Sequence, residues 1–254
     1  MLQATVNRFD GVEIDPETLP EDPAVFEAAL AASLESWRQA SRRLVWLEIP
    51  IGRAALIPIA TRAGFLFHHS GQHYLILTCA LVPDAYVPGP ATHYIGAGGV
   101  VLNAARELLV VVERYYRTPG QPPRYKLPGG ALQGGEHLVD GVIREIREET
   151  GVLTEFEALV CFRHWHDYRF GKSDIYFVSR LRPLTQAIQR QEEEISECRW
   201  MPVDEYLGAA QVSAFNRRVV RAALEHPGLA PADIEGYEDR RRYEVFMPPS
   251  RSLA

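Results

Sequence analysis

GALQGGEHLVDGVIREIREETGV, residues 130–152, joins a glycine-rich loop to an acidic amphipathic helix. In a helix running from about Glu136 to Thr150, Glu145, Glu148 and Glu149 stand at i, i+3 and i+4, so their carboxylates leave one face together. Leu138, Val142 and Ile146 make the other stripe, which would pack on a sheet and leave the acids toward solvent or a cleft. Like charges at this spacing cost ~0.2–0.5 kcal/mol each even when exposed, and more when desolvated. Such a cluster points to a cation, and hard oxygen ligands favour Mg²⁺ or Mn²⁺. Gly129-Gly130 and Gly134-Gly135 suit a tight loop approaching a ligand closely, and Gly151 stands where a helix C-cap glycine belongs. Arg144, four residues from both Asp140 and Glu148, would tie the acidic face together in a structural role. A run such as REIREET is by itself an ordinary solvated face; the surrounding glycines argue for more.

Working outward, glycine and proline punctuation divides the chain into two blocks, without internal repeats or low-complexity tracts. Asp22 and Pro23 read as N-cap and first helical residue, and Phe26, Leu30, Leu34 and Trp37 follow at helical spacing. Leu44–Ile49 reads as a strand, 53–63 as a helix that properly begins near Pro58, and 65–69 and 74–81 as two more strands. Trp37, Trp46 and Phe67 read as core. VPDAYVPGP (82–90) stops both helix and ladder and places a domain boundary, giving 1–88, 89–226 and an irregular charged tail, 227–254. In the second block, 93–102 and 107–114 read as a strand pair about the turn 103–106, followed by a Pro/Gly-rich loop, Thr118–Pro123. Strands near 156–164, 174–181 and 198–201 and helices near 203–210 and 213–226 complete it.

Composition narrows the function. A formal net charge of -6 gives no overall attraction to nucleic acid, and Arg217-Arg218 and Arg240-Arg241-Arg242 read as solvated faces. Cys79, Cys161 and Cys198 are odd in number and far apart, which suits reduced thiols. MLQATVNRFDGVEID lacks an apolar leader core, and the most apolar stretch, 74–82, is far short of the ~20 residues a membrane helix needs. A soluble, cytoplasmic protein with no membrane or specific nucleic-acid partner is the expectation.

From Gly130 the chain satisfies G-x5-E-x7-R-E-U-x-E-E-x-G-U, where U is a bulky aliphatic, at every fixed position: Gly130, Glu136, Arg144, Glu145, Ile146, Glu148, Glu149, Gly151 and Val152. This is the Nudix box. The chain further resembles the Nudix subgroup with a pre-Nudix domain, the plant ADP-ribose/NADH pyrophosphatases and the animal fibroblast growth factor antisense protein. That likeness runs through VWLEIPI (45–51), IPIATRAGFLFHH (57–69), HYIGAGGVVLN (93–103), YKLPGGALQGGE (125–136), FRHWHDYRFGKSDIYFV (162–178) and EEEISECRWM (192–201). It implies an α/β protein, with a Nudix α/β/α sandwich on a mixed sheet preceded by a smaller α/β domain. The resemblance assigns divalent metal to Glu145 and Glu149, with Glu148 assisting, the Gly130 carbonyl contributing and Glu136 a lesser participant. The general base would be Glu145 or Glu194, the latter on an acidic loop, and Glu148 joins them as a catalytic candidate. Arg163, His166, Asp174 and Lys126 are the candidates for substrate contact.

Substrate markers downstream of the box are weak. There is no SQPWPFP-like segment and no proline between the box and Pro183, while Tyr168 stands sixteen residues beyond Val152, as a tyrosine does in diadenosine polyphosphate hydrolases. Subgroup likeness therefore favours ADP-ribose and NADH, giving AMP, ahead of dinucleoside polyphosphates or nucleotide sugars. A ligand sensor without turnover is the reading from another class, and the intact glutamates oppose it. His164 and His166 share a strand face as zinc ligands would, but a third and fourth ligand are missing from view. The first block looks like part of an acetyltransferase of the GNAT type but lacks the Q/R-x-x-G-x-G/A loop for coenzyme A, so a structural or dimerising role is expected, in a homodimer.

Overall fold

The computed structural model describes residues 1–116, 120 and 122–249. Residues 118, 119 and 121 of the Pro/Gly-rich loop, and 250–254 of the tail, lie outside the described residues. The chain forms two compact units, 1–92 and from 93 onward.

In the first unit β1 (Ala4–Val6), β2 (Gly11–Ile14), β3 (Leu44–Pro50), β4 (Leu66–Ser70) and β5 (Tyr74–Ala80) form a sheet ordered β1-β2-β3-β5-β4, antiparallel except for β2 beside β3. Helix α1 (Pro23–Gln39) begins where Asp22 accepts the amides of Ala24 and Val25, and buries Phe26, Leu30 and Leu34. A 3-10 segment, Ile51–Leu56, precedes α2 (Ile57–Arg62), which places Pro58 in the first turn, where its missing N–H costs nothing. Phe67 is not core: β4 is an edge strand, and Leu66 and Phe67 are 73% and 65% exposed. Trp37 packs on the core, while Trp46 is half-buried with His68 edge-on at 5.0 Å.

The second unit is an α/β/α sandwich. Its elements are β6 (His93–Val101), β7 (Glu107–Glu113), β8 (Gly129–Ala131), α3 (Leu138–Thr150), β9 (Thr154–Arg169), β10 (Lys172–Pro183), β11 (Ile195–Pro202), α4 (Val203–Gly208) and α5 (Ala214–Glu225). A mixed sheet runs β8-β6-β10-β9, with β6 and β10 parallel, and β7 pairs antiparallel with β11. Strand alternation then assigns the layers. Val100, Leu108 and Val110 face the core containing Val219, Val220 and Ala223 of α5, whereas Val101 and Leu109 face that containing Val142 and Ile146 of α3.

Three further expectations change. The 93–102 and 107–114 strands are not a hairpin: they share the single bridge Leu102–Leu108 and then take partners in different sheets. Helix α3 starts at Leu138, because Glu136 is held in the preceding loop by Gln133 N–H and Arg144. Residues 227–249 carry a short antiparallel pair, β12 (Ala230–Pro231) with β13 (Phe246–Met247), within otherwise irregular chain. No helix among the described residues is long and apolar enough to cross a membrane.

Candidate active site

A cleft of about 1550 Å³ in the second unit is walled on one side by β8 and α3 and on the other by β9, β10 and the start of α5. Glu145, Glu148, Glu149, Gly130, Arg144, Lys126, Arg163, Asp174 and Glu194 all line it. The helical spacing therefore brings the three helix-borne glutamates of the box to one cavity, but not to one environment. Glu148 is half-exposed, Glu145 largely covered, and Glu149, though it lines the cavity, is 5% exposed.

Glu149 is reached by backbone. The Gly129 N–H donates to its Oε2 at 2.8 Å, and Lys126 Nζ stands 3.9 Å from Oε1 while pairing with Glu113. Burial pushes the Glu149 carboxyl up to about 7, with Lys126 and the Gly129 amide opposing and the Glu145 charge adding to the rise. Burial also raises Glu145, against the lowering effect of Arg144. Two glycines of β8 are closely approached, one by backbone and one by a side chain. Gly129 has φ 143°, and a Cβ there would fall 2.3 Å from the Ala97 carbonyl oxygen. At Gly130 a Cβ would fall 2.4 Å from Glu145 Oε2, so the missing side chain is the space that carboxylate occupies.

Arg144 ties loop to helix. Its guanidinium donates to Glu136 Oε1 at 2.6 Å and Oε2 at 2.9 Å, to Glu145 Oε1 and Glu148 Oε2 at 2.9 Å each, and to the Ala131 carbonyl at 3.1 Å. Its partners are thus Glu136 and Glu145 beside Glu148, not Asp140, because the guanidinium reaches back over the loop and away from the helix's first turn. The pairing holds Glu136 below the usual carboxylate range and raises Arg144. Gly151 closes the helix with φ 75° and its N–H on the Arg147 carbonyl.

On the opposite wall Arg163 Nη2 donates to the buried Asp174 at 2.8 Å, with its guanidinium carbon 5.2 Å from the Trp165 ring and 5.6 Å from those of Tyr176 and Phe215. His166 does not join them. It is not among the cleft-lining residues: it points from the other face of β9, with Nδ1 2.9 Å from Ser173 Oγ, because alternation sends residues 164 and 166 away from 163 and 165. His164 meets His93 through their Nε2 atoms at 2.9 Å. Among the described residues no three His, Cys, Asp or Glu side chains are gathered as a ready ligand set. The oxygens that face the cleft, the Glu145, Glu148 and Glu149 carboxylates beside Gly130, are hard donors of the kind Mg²⁺ and Mn²⁺ take. Glu113, Trp165, Phe215 and Asn216 also line the cleft, although nothing in the sequence by itself singles them out. Trp165 was within reach, two residues along a strand from Arg163; Phe215 and Asn216 arrive from a distant helix and gave no local signal.

A sandwich with an acidic helix and a glycine strand on one cleft is the architecture of a hydrolase class recognisable by its sequence. Residues 92–223 match the NUDIX domain, and residues 2–81 match a Nudix hydrolase domain. The chain is 38% identical to Nudix hydrolase 8 of Arabidopsis thaliana over 91% of its own length and 65% of that protein's. It is 39% identical to Nudix hydrolase 2 of the same plant, covering 82% of this chain and 74% of the relative. Nucleoside diphosphate-linked moiety X motif 6 of Homo sapiens is 32% identical, with 88% and 72% covered. A solved NUDIX hydrolase from Nitrosomonas europaea aligns with a TM-score of 0.43 at 21% identity, covering 51% of this chain and 86% of that one. The chain belongs to the Nudix hydrolase family, whose members act on nucleoside diphosphate-linked moieties and use divalent metal ions.

Proposed function

We propose that this protein hydrolyses the pyrophosphate bond of a nucleoside diphosphate joined to another group, ADP-ribose and NADH first, with Mg²⁺ or Mn²⁺. The observation that carries this reading is the pair Glu145 and Glu149 in the cleft, one carboxyl resting in the Gly130 gap and the other buried on the Gly129 amide. Burying a carboxyl beside a second one is costly unless a cation joins them. Glu145 and Glu149 would hold that cation, with Glu148 and the Gly130 carbonyl assisting and Glu136 more remote. When bound, a divalent ion neutralises charge developing on the phosphates and helps activate water.

The chain's own groups supply the remainder. Water attacks phosphorus, the anhydride P–O bond breaks toward the departing phosphate, and the water's proton passes to Glu145 or Glu194, both of which face the cleft. Lys126 stands 3.9 Å from the buried acid, and Arg163, held by Asp174 among Trp165, Tyr176 and Phe215, offers a cation and aromatic faces to the nucleotide. ADP-ribose would yield AMP and ribose 5-phosphate. We place this activity in a cytoplasmic homodimer, a state that sedimentation of the full chain tests directly.

The deciding experiment is phosphatase-coupled phosphate release from ADP-ribose, NADH, diadenosine polyphosphates and nucleotide sugars, with Mg²⁺, with Mn²⁺ and with EDTA. Turnover of ADP-ribose or NADH abolished by EDTA supports the reading. Faster turnover of another compound reassigns the substrate, and tight binding without turnover overturns the enzyme in favour of a sensor.

A further inference from the structure

We propose that Glu244, near the end of the chain, is a positioning residue for the acidic helix α3. The other two long helices cap themselves: Asp22 accepts the amides of Ala24 and Val25 in α1, and Ser213 accepts that of Asn216 in α5. Helix α3 does not. Its N-cap residue His137 has the extended backbone of a cap but makes no side-chain capping bond, and its Nε2 lies 2.8 Å from the Arg240 carbonyl oxygen instead. The first two helical amides go to a single carboxylate more than a hundred residues away, Leu138 N–H to Glu244 Oε2 at 2.9 Å and Val139 N–H to Oε1 at 3.2 Å. Those amides have no partner within the helix, and a negative group is favoured at this end of it.

The segment that carries Glu244 is fastened at several points. Leu229 and Leu159 exchange both backbone bonds, β12 pairs with β13, Ala232 N–H donates to the Val245 carbonyl at 2.8 Å, and Phe246 packs at a tilt against Phe156 of β9 with ring centroids 5.6 Å apart. Glu244 therefore joins strand β9 to the start of α3. That start fixes the loop in which Glu136 sits, and Glu136 is bound to Arg144, which also holds Glu145 and Glu148. The tail thus sets the origin of the helix whose far turns carry the cleft glutamates.

The kinetic half of the test rests on the hydrolase reading, and the exchange half does not. In the full chain, Glu244→Ala should speed hydrogen exchange at the Leu138 and Val139 amides about tenfold, the scale of a lost cap. Measured well below its unfolding temperature, its kcat should fall several-fold with KM unchanged. Glu244→Gln, which keeps the shape and one acceptor oxygen, should lie between. His137→Asp added to Glu244→Ala should recover both exchange protection and kcat, since it rebuilds locally the cap that Asp22 gives α1. Unchanged exchange in the first turn of α3 overturns the proposal, as does altered exchange with kcat intact, or a rescue that restores protection without kcat. If the unmodified chain turns over none of the panel, the hydrolase reading fails instead, and exchange at the two amides with its rescue decides whether Glu244 sets the helix.

Discussion

The two units bury different things. In the first, the described interior is apolar apart from Ser33 and Thr78, and Ser33 is satisfied by the Leu2 amide at 2.8 Å and the Ala29 carbonyl at 2.7 Å. Among the described residues of the second, two carboxyl side chains go under the surface, Glu149 and Asp174, and both lie at the cleft. A carboxylate out of water is expensive unless paired, and each has its partner, the Gly129 amide with Lys126 nearby and the Arg163 guanidinium. Cores of pure packing and cores that hold charge answer differently to substitution, so the contrast separates stability from chemistry.

The sharpest test is Glu149→Gln. Turnover should drop by at least ~100-fold, the scale of losing a group that acts at the reacting centre. Thermal stability should hold or rise, because the amide removes a desolvated acid; a calorimetric scan beside the kinetic assay reads both, and unchanged turnover breaks the distinction. Next in size is the mirror case, Phe26→Ala in the first unit, which should cost about 3–5 kcal/mol in denaturant unfolding while turnover per folded molecule is kept. A loss of turnover beyond the unfolded fraction would show that the apolar unit shapes the chemistry.

Gly130→Ala follows. The added methyl first meets the end of the Glu145 side chain, which can turn aside, so unfolding should move little while turnover falls about tenfold, a displacement of one catalytic contact. An unfolding midpoint that collapses instead would place Gly130 with the backbone-clashing Gly129. Smallest is Asp174→Asn, which removes the charge partner of Arg163 and should raise KM about fivefold with kcat nearly constant, on the scale of one weakened charged hydrogen bond. A fall in kcat alone would move the Arg163–Asp174 pair from substrate binding to the reaction itself.

The elements that the sequence made legible are those whose signals are local. Asp22 with Pro23, Pro58 in the first turn of a short helix, Gly151 after a long one, and the i, i+3, i+4 glutamates all act within one turn of themselves. What escaped depends on partners. Strands β6 and β7 are buried on both faces over most of their length, so their sequences carry no alternation to say which neighbour each takes, and proximity suggested a hairpin that the sheets do not contain. Strands β1 and β2, three and four residues long, are too short to stand out. Alternation along β9 separated Arg163 from His166 but left open which face met the cleft. Phe215 and Glu244 reach their places only through the tertiary fold.

The cleft's two walls have separate origins, the acidic wall within one continuous run from Gly129 to Glu149 and the facing wall from β9, β10 and α5. Inheritance can therefore act on them separately. Substitution at Trp165, Phe215 or Asn216 reshapes the compartment opposite the glutamates without disturbing the Arg144 bonds that organise them. Descendants of one ancestral scaffold can diverge in diet while sharing a single set of teeth.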